Sequence, residues 1–191
     1  MAETARVLPL VRAGEGAHRA TLLGAFRLTA AGGANLTPRA RKTRALLAYV
    51  LMSPGPVPRE RLAALLWGDR GDEQAKASLR QALYELRALA ADPEPLLIVE
   101  RDAVAVRPGA CEADIERLMG LARAGAIGPL AAALEQGSLD LLADLYGVDR
   151  EFDEWLRTEQ VHVRARLAAA AVAVSLAAVA WLATGLTRRP A

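Results

Sequence analysis

Between Asp72 and Ala90 the apolar residues Leu79, Leu83, Leu86 and Ala90 recur at three- and four-residue spacing. At about 100° per residue they share one stripe of a helix. Lys76, Arg80, Tyr84 and Arg87 fall on the adjacent stripe, and Gln81 lies further round. Such a helix buries its leucines against neighbouring elements and offers three cations, a phenol and an amide outward. Arg and Lys match guanine edges in the DNA major groove, and Gln matches adenine. The same pattern also fits a solvated face, with Glu73 and Glu85 pairing with Arg80 or Arg87.

The neighbours of this helix are legible on both sides. Thr37–Pro38 is expected to open a first helix, threonine as cap and proline in the first turn. Ala45, Leu46, Tyr49 and Val50 lie on one of its faces, and the run from Ser53 to Pro58 ends it. A second helix spans Arg59 to Trp67, and Gly68–Asp72 is a loop. Upstream, Thr21–Leu23 and Ala25–Thr29 alternate as short strands of a small antiparallel sheet. Downstream, "LLIVE" and "VAVRP" form a hairpin turning near Arg101–Asp102. A small sheet, three helices and a hairpin in that order are a winged helix.

From Ala113 onward the pattern is helical. The expected segments are Asp114–Ala124, Pro129–Glu135 and a long helix from about Phe152, separated by Gly137 and Gly147. The predicted fold class is therefore α+β, an N-terminal winged helix with a C-terminal hairpin wing, followed by an all-α segment. The divisions are a leader over 1–17, the winged helix over 18–109 and the helical segment over 110–191.

Charge is unevenly spread along this order. Leu36–Leu66 carries six cations against Glu60 alone, whereas Glu112–Gln160 carries four arginines against eleven carboxylates. The basic half implies a polyanion partner, and the acidic half would repel it. Asp140, Asp144 and Asp149 read as a solvated acidic stretch. Trp67, Trp155 and Trp181 read as core plugs. Cys111 is the single cysteine, and His18 and His162 are the only histidines, so no metal site is expected. No nucleophile–base set and no Walker-type glycine loop appear, so neither an enzyme nor a cofactor is expected. The charged opening lacks a secretion signal, which predicts a cytoplasmic protein.

Four motifs in this order resemble one family. "RKTRALLAYVL", "VPRERLAALLWGD", "ASLRQALYELRAL" and "LLIVERDAVAVRP" look like the winged-helix domain of the SARP/AfsR-type activators of actinomycete antibiotic pathways, related to the OmpR/PhoB-type effector domain. "CEADIERLM" and "GSLDLLADLYGVDREFDEWLRTEQVHVRARL" resemble the start of the tetratricopeptide-like bacterial transcriptional activator domain that follows it. The resemblance spans about His18 to Leu167. It implies a DNA-binding transcription activator, with Asp72–Ala90 as recognition helix and Arg59–Trp67 as positioning helix. Lys76, Arg80, Gln81, Tyr84 and Arg87 would meet bases or the groove. Arg39, Arg41, Lys42, Arg59 and Arg101 would meet the DNA backbone, Arg101 from the wing. Gly68, Asp69, Arg70, Gly71 and Asp72 would approach RNA polymerase. Assembly as dimers or higher forms on double-stranded DNA is also implied. The chain departs from the family in lacking a receiver domain before the winged helix, and its activator domain looks cut short. An adaptor that binds protein through a non-reading winged helix is the alternative.

Leu167–Leu186 carries no charge and is long enough to span a bilayer. Nine of its residues are alanine, which provides little drive for insertion. Two readings follow: a packing helix of the helical module, or a membrane tether for a cytoplasmic DNA-binding half.

Overall fold

A computed structural model describes residues 17–89, 95–136 and 139–186, with the side chains of the last helix described as far as Ala173. The expected leader before Ala17, Ala90 at the end of the third expected helix, Asp92–Pro93, Gly137 and the side chain of Trp181 lie outside the described set.

The chain opens with β1 (His18–Thr21) paired antiparallel to β2 (Arg27–Thr29). Both strands are shorter or shifted relative to the alternating runs Thr21–Leu23 and Ala25–Thr29. The reason is that side chains replace the ladder between them. The backbone N–H groups of Leu22 and Leu23 donate to the Asp114 carboxylate at 3.0 Å, and that of Phe26 donates to Asp144 at 2.7 Å. Burial pushes the Asp114 carboxyl above its ordinary range, while the backbone donors from Leu23, Leu22 and Ile115 pull it down.

The first helix, α1 (Arg41–Met52), begins four residues later than Thr37. Thr37 does not cap it; its hydroxyl accepts the Leu28 N–H at 3.0 Å and so ties the approach to β2. After α1, Val57–Pro58 forms a short strand, β3, that the sequence pattern did not show. Its proline is tolerable because β3 is an edge strand. Helices α2 (Arg59–Trp67) and α3 (Asp72–Leu89) follow as expected. The hairpin of β4 (Leu97–Val99) and β5 (Ala103–Val106) is the wing, turning at Arg101–Asp102. β3 pairs with β5, so the wing sheet has three strands in the order β3-β5-β4.

The chain then returns to the first sheet. β6 (Cys111–Ala113) runs parallel to β1, so that sheet is mixed rather than purely antiparallel. Three residues carry no readable period, and only the long return after the wing makes a parallel pairing possible. The boundary expected between 109 and 110 therefore falls just before a strand of the N-terminal sheet. Burial pushes the Cys111 thiol up to about 12.

The helical half comprises α4 (Asp114–Arg123), α5 (Ile127–Gln136) and α6 (Arg150–Leu186). The last two start two residues earlier than the pattern indicated, an ordinary uncertainty at helix ends. One core runs through both halves. Leu46, Leu62, Leu65, Leu66 and Leu79 are buried in the winged helix, and Leu118, Phe152, Leu156 and Val163 in the helical half. The two meet where Trp155 of α6 packs edge-on to Tyr49 of α1, with ring centroids 4.8 Å apart, and against Phe152 at 5.2 Å. Trp67 is buried as expected, at 4% exposure, whereas Trp155 is half-buried.

Residues 139–149, between α5 and α6, form a strap across the start of the fold. Leu141, Leu142 and Leu145 are fully buried. The Leu142 N–H donates to the Leu22 carbonyl and the Ala143 N–H to the Gly24 carbonyl, both at 2.8 Å. Leu142 adopts a left-handed φ of 50°, a conformation unfavourable for a leucine and held here by burial and hydrogen bonding. From α6, Gln160 accepts the Leu141 N–H and donates to the Leu139 carbonyl at 2.9 Å.

Among the described residues no helix is long and apolar enough to cross a membrane. Within the uncharged run, Leu167 is buried and Val172 is exposed; from Val174 onward the side chains lie outside the described set.

Candidate nucleic-acid interface

Helix α3 carries Ala75, Leu79, Ala82, Leu83 and Leu86 on its buried face. That leaves Lys76, Arg80, Gln81, Tyr84 and Arg87 exposed, as the stripe geometry requires. Tyr84 is 70% exposed, unusual for so large an apolar ring. The flanks of the helix are pinned. On the α1 side the Thr43 hydroxyl donates to the Glu85 carboxylate at 2.8 Å, and Thr43 itself is only 3% exposed. On the wing side Arg87 donates to the Val99 carbonyl at 3.4 Å. Glu85 therefore holds α3 to α1 instead of neutralising Arg80 or Arg87. Glu73 pairs with Lys76 at 3.1 Å, and this hydrogen bond, with the Glu73 charge, holds the Lys76 ammonium above its ordinary value.

An open groove of about 490 Å³ runs between the start of α2, the N-terminal half of α3 and the turn of the wing. It is lined by four expected DNA contacts, Arg59, Lys76, Arg80 and Arg101, together with Glu60 and Asp102. The short strand β3 brings Arg59 to the wing turn that carries Arg101. Its pairing sets Pro58 opposite Ala103, so the Arg59 N–H donates to the Asp102 carbonyl at 2.8 Å and its side chain reaches the Glu100 carbonyl at 3.4 Å. The two carboxylates were not among the expected site residues. A valine–proline pair ending a proline-rich run was the only signal for β3.

The cations of α1, and Arg39 just before it, are placed differently. Arg39 is exposed. Arg41 donates to the Asp144 carbonyl at 3.0 Å and to the Tyr146 carbonyl. Arg44 pairs with the Asp144 carboxylate at 2.9 Å. Lys42 bonds the Leu66 carbonyl and pairs with Asp149 at 3.3 Å and with Asp69 at 3.7 Å. Asp140 pairs with Arg164. Asp144 and Asp149 are therefore partners for α1 rather than solvated spectators, whereas Asp140 is exposed, as expected, beside Arg164. Arg41 and Lys42 are turned to that strap and do not join the groove.

No protein-family model matches the chain, and no curated protein matches it. Among solved structures it is similar to EmbR of Mycobacterium tuberculosis, solved in complex with a low affinity phosphopeptide. The two are 23% identical with a TM-score of 0.58, over 92% of this chain and 52% of that one. The fold is similar to EmbR's across both halves. The chain spans about half the length of that protein. This likeness agrees with the α+β winged helix and helical segment expected from the sequence motifs.

The loop Gly68–Asp72 between α2 and α3 is exposed throughout. A Cβ on Gly68 would stand 2.7 Å from the Ala64 carbonyl oxygen, so the helix end admits only glycine without a shift. The Arg70 N–H donates to the Trp67 carbonyl at 3.0 Å, and its guanidinium donates to the Ser78 hydroxyl at 3.0 Å. The loop is thus exposed yet tied at both ends. Among the described residues no three His, Cys, Asp or Glu side chains gather to hold a metal ion.

Proposed function

We propose that this chain is a sequence-specific transcription regulator of the SARP/AfsR type, an activator that binds double-stranded DNA and contacts RNA polymerase. The observation that carries the reading is the groove in which Arg59, Lys76, Arg80 and Arg101 converge beside an exposed, leucine-backed helix. A helix fits the major groove of DNA, about 12 Å wide. On this reading Lys76, Arg80, Gln81 and Tyr84 meet base edges or groove walls. Arg59 and Arg101, with Arg39, meet phosphates, which position without specifying. Arg87 ties α3 to the wing through Val99 and, exposed beside it, would meet the DNA groove. Arg41 and Lys42 are left out, because Arg41 bonds the Asp144 and Tyr146 carbonyls of the strap, Lys42 pairs with Asp149, and neither lines the groove.

The winged helix over 18–109 would be the reading module and 110–191 the opening part of a transcriptional activator domain. Gly68, Asp69, Arg70, Gly71 and Asp72 would form the polymerase-facing loop, and copies would assemble on repeated sites. Glu60 and Asp102 inside the groove favour one second reading, a protein-binding adaptor whose winged helix meets a partner of mixed charge.

Selection of bound DNA from a random pool tests the proposal. An enriched motif, recovered at moderate salt with half-sites at regular spacing, is the expected result. Recovery of no enriched sequence, together with capture of polymerase subunits in the absence of DNA, would favour the adaptor instead.

A further inference from the structure

Lys42 stands at a crossing of three parts of the molecule. Its ammonium bonds the Leu66 carbonyl at the end of α2, pairs with Asp69 in the α2–α3 loop at 3.7 Å and pairs with Asp149 just before α6 at 3.3 Å. The Trp67 ring lies 5.9 Å from it, within range of a cation–π contact. The side chain is 26% exposed and that of Asp149 only 9%, so this pair is screened less than a surface pair. Arg61 of α2 and Glu151 of α6 stand 3.5 Å apart close by. Farther along the loop, Arg70 bonds Ser78 on α3. A continuous set of contacts thus runs from the helical half through Lys42 to the loop, and from the loop to the recognition helix.

We infer that Lys42 is a positioning residue that holds the α2–α3 loop against the helical half, so that the state of the helical half sets the conformation of that loop. The inference deepens the proposed function, in which this loop faces the polymerase. It also gives Lys42 a role other than DNA contact. A cation spent on Leu66, Asp69 and Asp149 neutralises no phosphate. Coupling of this kind needs contacts shared by both parts, and the ammonium makes them to the loop and to Asp149.

Amide hydrogen exchange on the whole chain tests it, using Lys42→Met, which keeps most of the stem, Lys42→Arg, and Asp149→Asn. Lys42→Met should speed exchange of the Arg70 amide about tenfold or more, a change that corresponds to roughly 1.4 kcal/mol. Asp149→Asn should speed the same amide, and the double variant should show less than the product of the two effects. Lys42→Arg, which retains the charge, should restore most of the protection. Unchanged loop exchange in Lys42→Met would overturn the inference. So would strictly multiplicative effects, or exchange rising equally in α4 and the first sheet.

The DNA arm separates the two readings. Lys42→Met should leave the steepness of the salt dependence of binding to a selected site as in the unaltered protein. A salt slope lower by about 1 would make Lys42 a phosphate contact and sink the inference. Failure of the unaltered protein to bind DNA would remove the proposed function, while the exchange results would still decide the role of Lys42.

Discussion

Two groups of cations lie on the winged helix, and the fold uses them in opposite ways. Arg41, Lys42 and Arg44 are neighbours in sequence on α1, yet each is taken up by the strap over 139–149. Arg59, Lys76, Arg80 and Arg101 are scattered over two helices and a turn, yet they line one open groove. Sequence density of charge is therefore a poor guide to where a positive surface lies. What decides is where the fold turns each cation: those of α1 face the strap, while Arg59 and Lys76 line the groove although Arg59 bonds the Glu100 carbonyl and Lys76 pairs with Glu73. The acidic half instead supplies partners for α1.

The comparison breaks most decisively at the apolar contact between the two halves. Phe152 is fully buried and supports the Trp155–Tyr49 contact that joins the halves. Phe152→Ala should destabilise the protein by about 3–5 kcal/mol, measured by urea unfolding. A loss below about 1 kcal/mol would mean that the halves are held by charge alone. Asp144→Ala is the next largest. It removes the acceptor of the Phe26 N–H and the partner of Arg44. Stability should fall by about 1.5–3 kcal/mol, because a charged acceptor is lost and a donor is left unmet. A variant as stable as the parent would show that water replaces the carboxylate.

Arg80→Ala sharpens the other side of the comparison. Its side chain is exposed and lies on the groove, so unfolding should change by no more than about 0.5 kcal/mol, the usual range at the surface. Binding to a selected DNA site should weaken by about 1–3 kcal/mol, with one base position relaxed. Equal weakening on all sequences would make Arg80 a phosphate contact rather than a reader.

Helices α2 and α3 and the wing turn were legible because each carries a long period or a turn signal. The leucine stripe of α3 fixed its buried face, and the exposed stripe followed. The strap was not legible as a partner of α1. Arg41 and Asp144 are 103 residues apart, and an acidic run gives no sign of which backbone it will meet. β3 and β6, with two and three residues, are too short to show alternation. Yet β3 assembles the groove, by placing Arg59 beside the turn that carries Arg101. The candidate site was thus readable residue by residue, whereas its assembly depended on pairings between distant segments.

The salt dependence of DNA binding tests the division of cations most directly. Each phosphate neutralised contributes about −0.9 to the slope of log affinity against log salt. The double variant Arg59→Ala/Arg101→Ala should flatten the slope by about 2 relative to the unaltered protein, and Arg41→Ala should leave it unchanged. A slope unaltered by the double variant, or flattened by Arg41→Ala, would contradict the assignment of the groove as the surface that meets DNA.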